Sequence, residues 1–448
     1  MRGRVAAMMA ALLLGSLVVS APVGNAAIPG ADLVQLCESL FGGTFGSPNT
    51  ETFAACQWNM ALIDASDDGS YGLATGAGVK VGVIDSGVDF NHPDIAPNLD
   101  VALSCSFIFD DTPTANPAEI ANGDCTNKTA VQDLAGHGTH VASLIAAPVN
   151  GVGIAGVAPE ATIVGLKACT EQGLCFVDSV AAALRYAGDQ GLDVVNLSLF
   201  VDPFLYYCTD DPEQRGMLKT LERAVRYAQQ RGVLVVASAG NETDDLQHPT
   251  TDEISPDWPP DSAEIRFIHN NCRVAPAEIA RVLTVSATGP IGYPEYDLWI
   301  ADYSSVGMSI VDVTAPGGDY FRASGTVQDA VLGAIPIGSA IWNAFDPLNA
   351  NFPGITTTDA GAGYIFLNGT SMSSPHAAGV AALVVEMHPA WAPGAVKAAV
   401  QRTAEQLPCP EDWEPLFPGD DRQRCYGRNG RTSFFGHGLV NAEAAASA

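Results

Sequence analysis

Beyond about residue 79, short, mostly apolar runs rich in β-branched residues occupy 79–84, 162–166, 193–199, 233–238 and 282–285. Runs of this length, without a polar residue at every second position, predict strands buried on both faces. Between them, 137–147, 177–190 and 213–231 carry apolar residues at helical spacing, and 371–387 and 393–405 follow. Pro393 opens the last of these, where the first helical turn tolerates a proline. The alternation predicts an α/β fold in three layers, a mostly parallel twisted sheet with helices on both faces. Ligands in such sheets sit beyond the carboxyl ends of the strands.

Four stretches break the rhythm: 107–131, 201–212, 242–273 and 319–363 are rich in Pro, Asp, Asn, Thr or Gly. They read as surface loops inserted into one large domain spanning 57–448. Ahead of that domain, 28–56 forms a short arm or pro-segment carrying two cysteines. Residues 1–27 begin with Arg2 and Arg4, continue through an apolar run and end in small residues. That order predicts a cleaved export signal rather than a membrane anchor.

Composition narrows the function. Of 448 residues, 47% are hydrophobic and 16% charged, enough to bury a sizeable core. The formal net charge is −29. Such a surface repels nucleic acid and anionic membranes, and it can attract cations or basic substrates. All ten cysteines lie beyond the leader, an even number in an exported chain, which favours disulfides. Consecutive cysteines enclose modest loops, so sequential pairing is expected. None of their spacings suits zinc.

Four segments carry chemistry. A buried strand ends in Asp85, followed by Ser86-Gly87. Gly136-His137-Gly-Thr-His140 puts a histidine at a helix start. His140 itself reads as a packing residue, since no acidic partner follows as in a zinc peptidase helix. Asn368-Gly-Thr-Ser371-Met-Ser-Ser-Pro-His376 opens a long helix with a serine, where free N–H groups suit a developing oxyanion. The strand 233–238 runs on to Gly240-Asn241, whose side-chain amide is a second candidate donor. Each alone has an ordinary structural explanation: a strand-end Asp, a capping Ser, an Asn in a turn.

Together these segments resemble the subtilisin-like serine peptidases. Asp85-Ser-Gly, His137-Gly-Thr-His and Gly-Thr-Ser371-Met-x-Ser-Pro-His match the family's signatures, in its order. Further matches stand at 91–94 (Asn-His-Pro-Asp), 156–159 (Gly-Val-Ala-Pro), 196–199, 303–307, 314–317 and 436–443. The resemblance implies the subtilisin-like three-layer fold and a secreted serine endopeptidase, a monomer acting on polypeptides. It implies a triad of Asp85, His137 and Ser371, with Asn241 in the oxyanion hole. Ser198-Leu199 and Ser238-Ala239-Gly240 would flank the first specificity pocket. It also implies a structural Ca²⁺ held by Asp94, Asn150 and the carbonyls of Pro148, Val152 and Ile154, an oxygen set that suits this ion. Two departures stand out. Phe200-Val-Asp-Pro203 replaces the glycine that usually follows the first pocket segment, and no full-sized prodomain fits before Gln57. A peptide-binding pseudoenzyme and a restricted processing peptidase or exopeptidase are the rival expectations.

Overall fold

The computed structural model describes residues 30–290, 298–410, 423–428 and 430–448. The leader 1–27 lies outside the described residues. The main strands are Lys80–Asp85 (β1), Cys105–Ser106 (β2), Thr162–Lys167 (β3), Val194–Leu197 (β4), Leu234–Ser238 (β5), Leu283–Thr288 (β6) and Val313–Pro316 (β7). They form one seven-stranded sheet in the order β7-β6-β5-β4-β1-β3-β2. Every pairing within it is parallel. All five expected runs are strands of this sheet. The two short outer strands, β2 and β7, were not expected.

The helices are Gly30–Phe41 (α1), Trp58–Leu62 (α2), His137–Ala146 (α3), Val177–Asp189 (α4), Pro212–Gln230 (α5), Ala340–Phe345 (α6), Thr370–Met387 (α7), Pro393–Thr403 (α8) and Ala442–Ala446 (α9). Neighbouring strand residues face opposite layers. Val194, Leu234 and Val236 pack with Val141 and Leu144 of α3 and with Val380 and Leu383 of α7. Val195, Val235 and Ala237 pack with Val180 and Leu184 of α4 and with Leu218 and Leu221 of α5. This two-sided burial is why the strands read as mostly apolar runs without polar alternation. Helix α5 starts cleanly because the Asp211 carboxylate accepts the Glu213 and Gln214 amides and Pro212 needs no partner. Helix α7 also lies at close range to the loop between α3 and β3. A Cβ on Gly379 would lie 2.6 Å from that of Val157, so a larger residue there would push the helix away.

The segment 319–363 is not the loop its composition suggested. It contains Val331–Ile335 (β8), Thr356–Asp359 (β9) and α6 and runs into Ala362–Leu367 (β10), and the three strands form an antiparallel sheet in the order β8-β10-β9. Leu332, Ile335, Tyr364 and Phe366 are fully buried in the same core as α3 and α7. Turn residues such as Gly338, Gly354 and Gly361, all at positive φ, dominate its composition and mask the strands between them. Two other breaks join each other: Tyr206–Cys208 pairs antiparallel with Cys272–Val274, and Cys208 bonds to Cys272.

All ten cysteines pair sequentially: 37 with 56, 105 with 125, 169 with 175, 208 with 272 and 409 with 425. The arm is part of the core, since Leu33, Cys37, Phe41 and Phe53 are buried in the α3/α7 layer. Among the described residues no helix is long and apolar enough to cross a membrane.

Candidate active site

Strand order places β1 between β3 and β4, so chain connections leave in opposite directions beyond its carboxyl end. This is where open α/β sheets form a binding crevice. Asp85 is the last residue of β1, and the turn after it is tight. Gly87 has φ +110°, and a Cβ on Gly138 would strike the Gly87 carbonyl and come within 3.1 Å of the Asp85 Cβ. The helix bearing His137 can therefore lie directly on the aspartate. His137 Nδ1 is 2.8 Å from Asp85 Oδ1 and 3.0 Å from Oδ2. Asp85 is 3% exposed at its side chain and His137 22%, so the imidazole bridges a buried carboxylate and the surface crevice.

A second carboxylate fixes the start of α3. Asp133 accepts the Ser86 hydroxyl (2.9 Å), the amides of Gly136 (2.8 Å) and Thr139 (2.9 Å), and the Thr139 hydroxyl (2.7 Å). Ser86 Oγ in turn accepts the Gly138 amide at 2.9 Å, and the Ser86 amide donates to Asp85 Oδ1 at 2.7 Å. Burial pulls the His137 pKa down, but the Asp85 charge and hydrogen bond and the more distant Asp133 charge outweigh it. The net shift is above the ordinary 6.5.

Ser371 lies in the first turn of α7, after Gly369 with φ +155°. Its hydroxyl donates to the Ser198 carbonyl at 3.2 Å. The Asn241 amide is oriented by Thr370, whose amide and hydroxyl both donate to Asn241 Oδ1, at 2.9 and 2.8 Å. Its Nδ2 donors must then face the other way. A Cβ on Gly369 would be 3.6 Å from Asn241 Nδ2 and also 3.6 Å from the Ser371 amide nitrogen. The missing side chain thus leaves room for one small atom group between two N–H donors at a helix N-terminus.

Residues 76–438 match the Subtilase family. The chain belongs to this family. It is 31% identical over 388 residues to the M-protease of Shouchella clausii (strain KSM-K16), covering 87% of this chain and 69% of the relative. It is 30% identical to Subtilisin BL of Lederbergia lenta, covering 87% of this chain and 97% of the relative. Among solved structures, a lanthipeptide protease superposes with a TM-score of 0.60 at 26% identity, covering 87% of this chain and 93% of the other. Fervidolysin from Fervidobacterium pennivorans gives a TM-score of 0.60 at 25% identity, covering 89% and 46%. The protein is a subtilisin-like serine endopeptidase.

The remaining expected site residues of this subtilase fall into two places. Ser198-Leu199 and Ser238-Ala239-Gly240 lie at and beyond the carboxyl ends of β4 and β5, beside Ser371. The Ser198 hydroxyl donates to the Ser371 carbonyl at 2.8 Å, and the Gly240 amide donates to the Thr370 hydroxyl at 3.2 Å. Phe200 is half-buried and packs on Leu205, Tyr206 and Leu246, so it leans into the joined insertions. Asp94 and the 148–154 loop lie apart from the crevice, against the arm and the β9–β10 hairpin.

Sequence reasoning passed over three residues that hold the site. Asp133 could have been found as an acidic residue shortly before a helix start. Ser86 and Thr370 stand next to marked residues and read only as turn filler. Glu242 is a further omission. Its carboxylate lies 2.5 Å from where a Gly240 Cβ would be, and burial, with Asp244 beside it, raises its pKa to about 7. His140 and His376 are packing residues, as expected. His140 Nε2 faces the Ile365 carbonyl at 3.2 Å and its ring lies flat against Gly333, while burial lowers its pKa to about 3.

Proposed function

We propose that this subtilase hydrolyses peptide bonds through an acyl-enzyme on Ser371, with His137 as general base and acid, Asp85 orienting it, and Asn241 with the Ser371 amide binding the oxyanion. The observation that carries this is the shared point beside Gly369, 3.6 Å from both donors. Ser371 Oγ turns from the Ser198 carbonyl to His137 and attacks the peptide carbonyl as His137 Nε2 takes its proton. Asp85 stabilises the imidazolium and holds its Nδ1–H. The oxyanion forms between the two donors, which are oriented before the reaction and need no reorganisation. Collapse expels the amine, which leaves with the proton from His137. A water then enters by the same path and releases the acyl group.

Ser198-Leu199 and Ser238-Ala239-Gly240 would receive the substrate backbone as an added strand. The leader 1–27 and five disulfides support export. The buried arm stays attached to the mature chain, which N-terminal sequencing of secreted material checks.

Calcium fits the 148–154 loop. Asp94 is fully buried, and its Oδ1 has no hydrogen-bond partner, nor has Oε2 of Glu51 from the arm. Burial, with Glu51 and Asp359 nearby, raises the Asp94 pKa to about 8. A divalent cation held by Asp94, Asn150 and the carbonyls of Pro148, Val152 and Ile154 would offset this crowding of carboxylates and stiffen the loop. Among the described residues no three Asp, Glu, His or Cys side chains converge as a metal cluster, so neutral oxygens would do most of the binding. Calcium should raise the thermal midpoint and Asp94→Asn should remove that rise; a midpoint indifferent to calcium would count against the site.

The test of the activity is digestion of an unfolded protein such as reduced casein, with fragments mapped by mass spectrometry. Internal cuts by the wild type, absent with Ser371→Ala, are expected. Cuts that persist in the variant, or trimming from one end only, would contradict the reading.

A further inference from the structure

The insertion 107–131 reaches into the core behind the site. Its Glu119 is 1% exposed, and Glu119 Oε1 forms an ion pair at 2.8 Å with the ammonium of Lys167, which is fully buried at the end of β3. Lys167 Nζ also donates to two backbone carbonyls, Ser86 at 2.6 Å and Gln132 at 3.1 Å. These belong to the turn after Asp85 and to the residue before Asp133. One ammonium therefore ties together the two loops that hold the Asp85–His137 pair. Ser86 is the shared node, since its amide donates to Asp85, its hydroxyl donates to Asp133 and the Gly138 amide donates back to that hydroxyl.

A buried ammonium with only neutral carbonyls around it would be costly, and a carboxylate in reach offsets that cost. The insertion is built to deliver one. The Cys105–Cys125 bond anchors it, the Ser106 hydroxyl donates to the Glu119 carbonyl at 2.7 Å, and the Asn116 amide donates to Glu119 Oε2 at 3.0 Å.

We propose that Glu119 and Lys167 are positioning residues for the Asp85–His137 pair, and that the 107–131 insertion serves the reaction by supplying the counter-ion. This rests on the triad reading above. Neither residue touches substrate. Displacing Ser86 and Gln132 would shift the carboxylate and the helix start together, and such misplacement costs roughly 10–100-fold in rate.

The test compares Glu119→Gln, Lys167→Met and the double variant Glu119→Leu/Lys167→Met, on a peptide p-nitroanilide substrate and by thermal unfolding. Either single change should lower kcat roughly 10–100-fold with KM nearly unchanged, and should move the acid limb of kcat/KM. The double variant removes both charges, so it should unfold near the wild-type temperature and still have low kcat. It keeps the proposal testable where a single variant fails to fold. A stable double variant with wild-type kcat and pH profile would overturn the proposal, as would single variants that lose only thermal stability. An inactive wild type would instead count against the triad reading.

Discussion

The two halves of the site are built on opposite plans. On the Asp85–His137 side the polar groups are saturated: Asp133 alone takes four donors, and Ser86 is bonded to Asp85, Asp133 and Gly138. On the Ser371–Asn241 side the acceptor of Asn241 is occupied while its donors, with the Ser371 amide, face room left by a glycine. In the proposed mechanism the first half holds a charge pair in one geometry through the whole cycle, and the second stays open until a tetrahedral centre arrives. A saturated network should therefore be sensitive to lost partners, and an open one to added atoms.

The largest effect should come from filling the open half. Gly369→Ala puts a methyl between the two donors, at a φ that also disfavours a side chain. Its kcat on a peptide substrate should fall at least as far as on losing one donor, roughly 10²–10³-fold, without loss of global fold. Activity close to wild type would mean that the oxyanion sits elsewhere. Next comes removal of one donor: Asn241→Leu should cost about 2.7–4 kcal/mol of transition-state stabilisation, seen in kcat rather than KM. A change confined to KM would make Asn241 a substrate contact instead.

The smallest expected effect concerns charge at a distance. Because the folded His137 pKa is raised above 6.5, the imidazole stays protonated, and inactive as a base, to a higher pH than a free one. The acid limb of kcat/KM should lie above 6.5 and activity should fall as pH drops through it. Asp133→Asn removes one of the charges that raise the pKa, so the limb should move to lower pH, and the lost helix-start bonds should lower kcat as well. A limb that stays fixed or moves upward would show that Asp133 acts on His137 only through geometry.

Much of this was legible in the sequence. Buried parallel strands announce themselves as mostly apolar, β-branched runs, so β1, β3, β4, β5 and β6 could be read directly, with their carboxyl ends and the residues beyond them. Asp85, His137, Asn241 and Ser371 sit at those ends or at helix starts, but position alone left each with an ordinary explanation, and only the family's signatures, met in order, singled them out. The contents of the insertions were hidden. Strands β8 and β10 lie among turn-forming residues that dominate the local composition, and Glu119 looks like any surface acid until the fold sets it against Lys167. Its partner is 48 residues away in the chain, and only the β1–β3 pairing brings Lys167 beside Asp85. The arm was open to either reading for the same reason: burial of Leu33 and Phe53 depends on long-range packing that no local pattern encodes.

The most direct measurement is covalent labelling of the purified protein with a fluorophosphonate, followed by peptide mapping. The account predicts a single adduct on Ser371, formed quickly above the raised His137 pKa, slowly below it and not at all in His137→Ala. An adduct on another serine, or none on correctly folded wild-type protein, would contradict it.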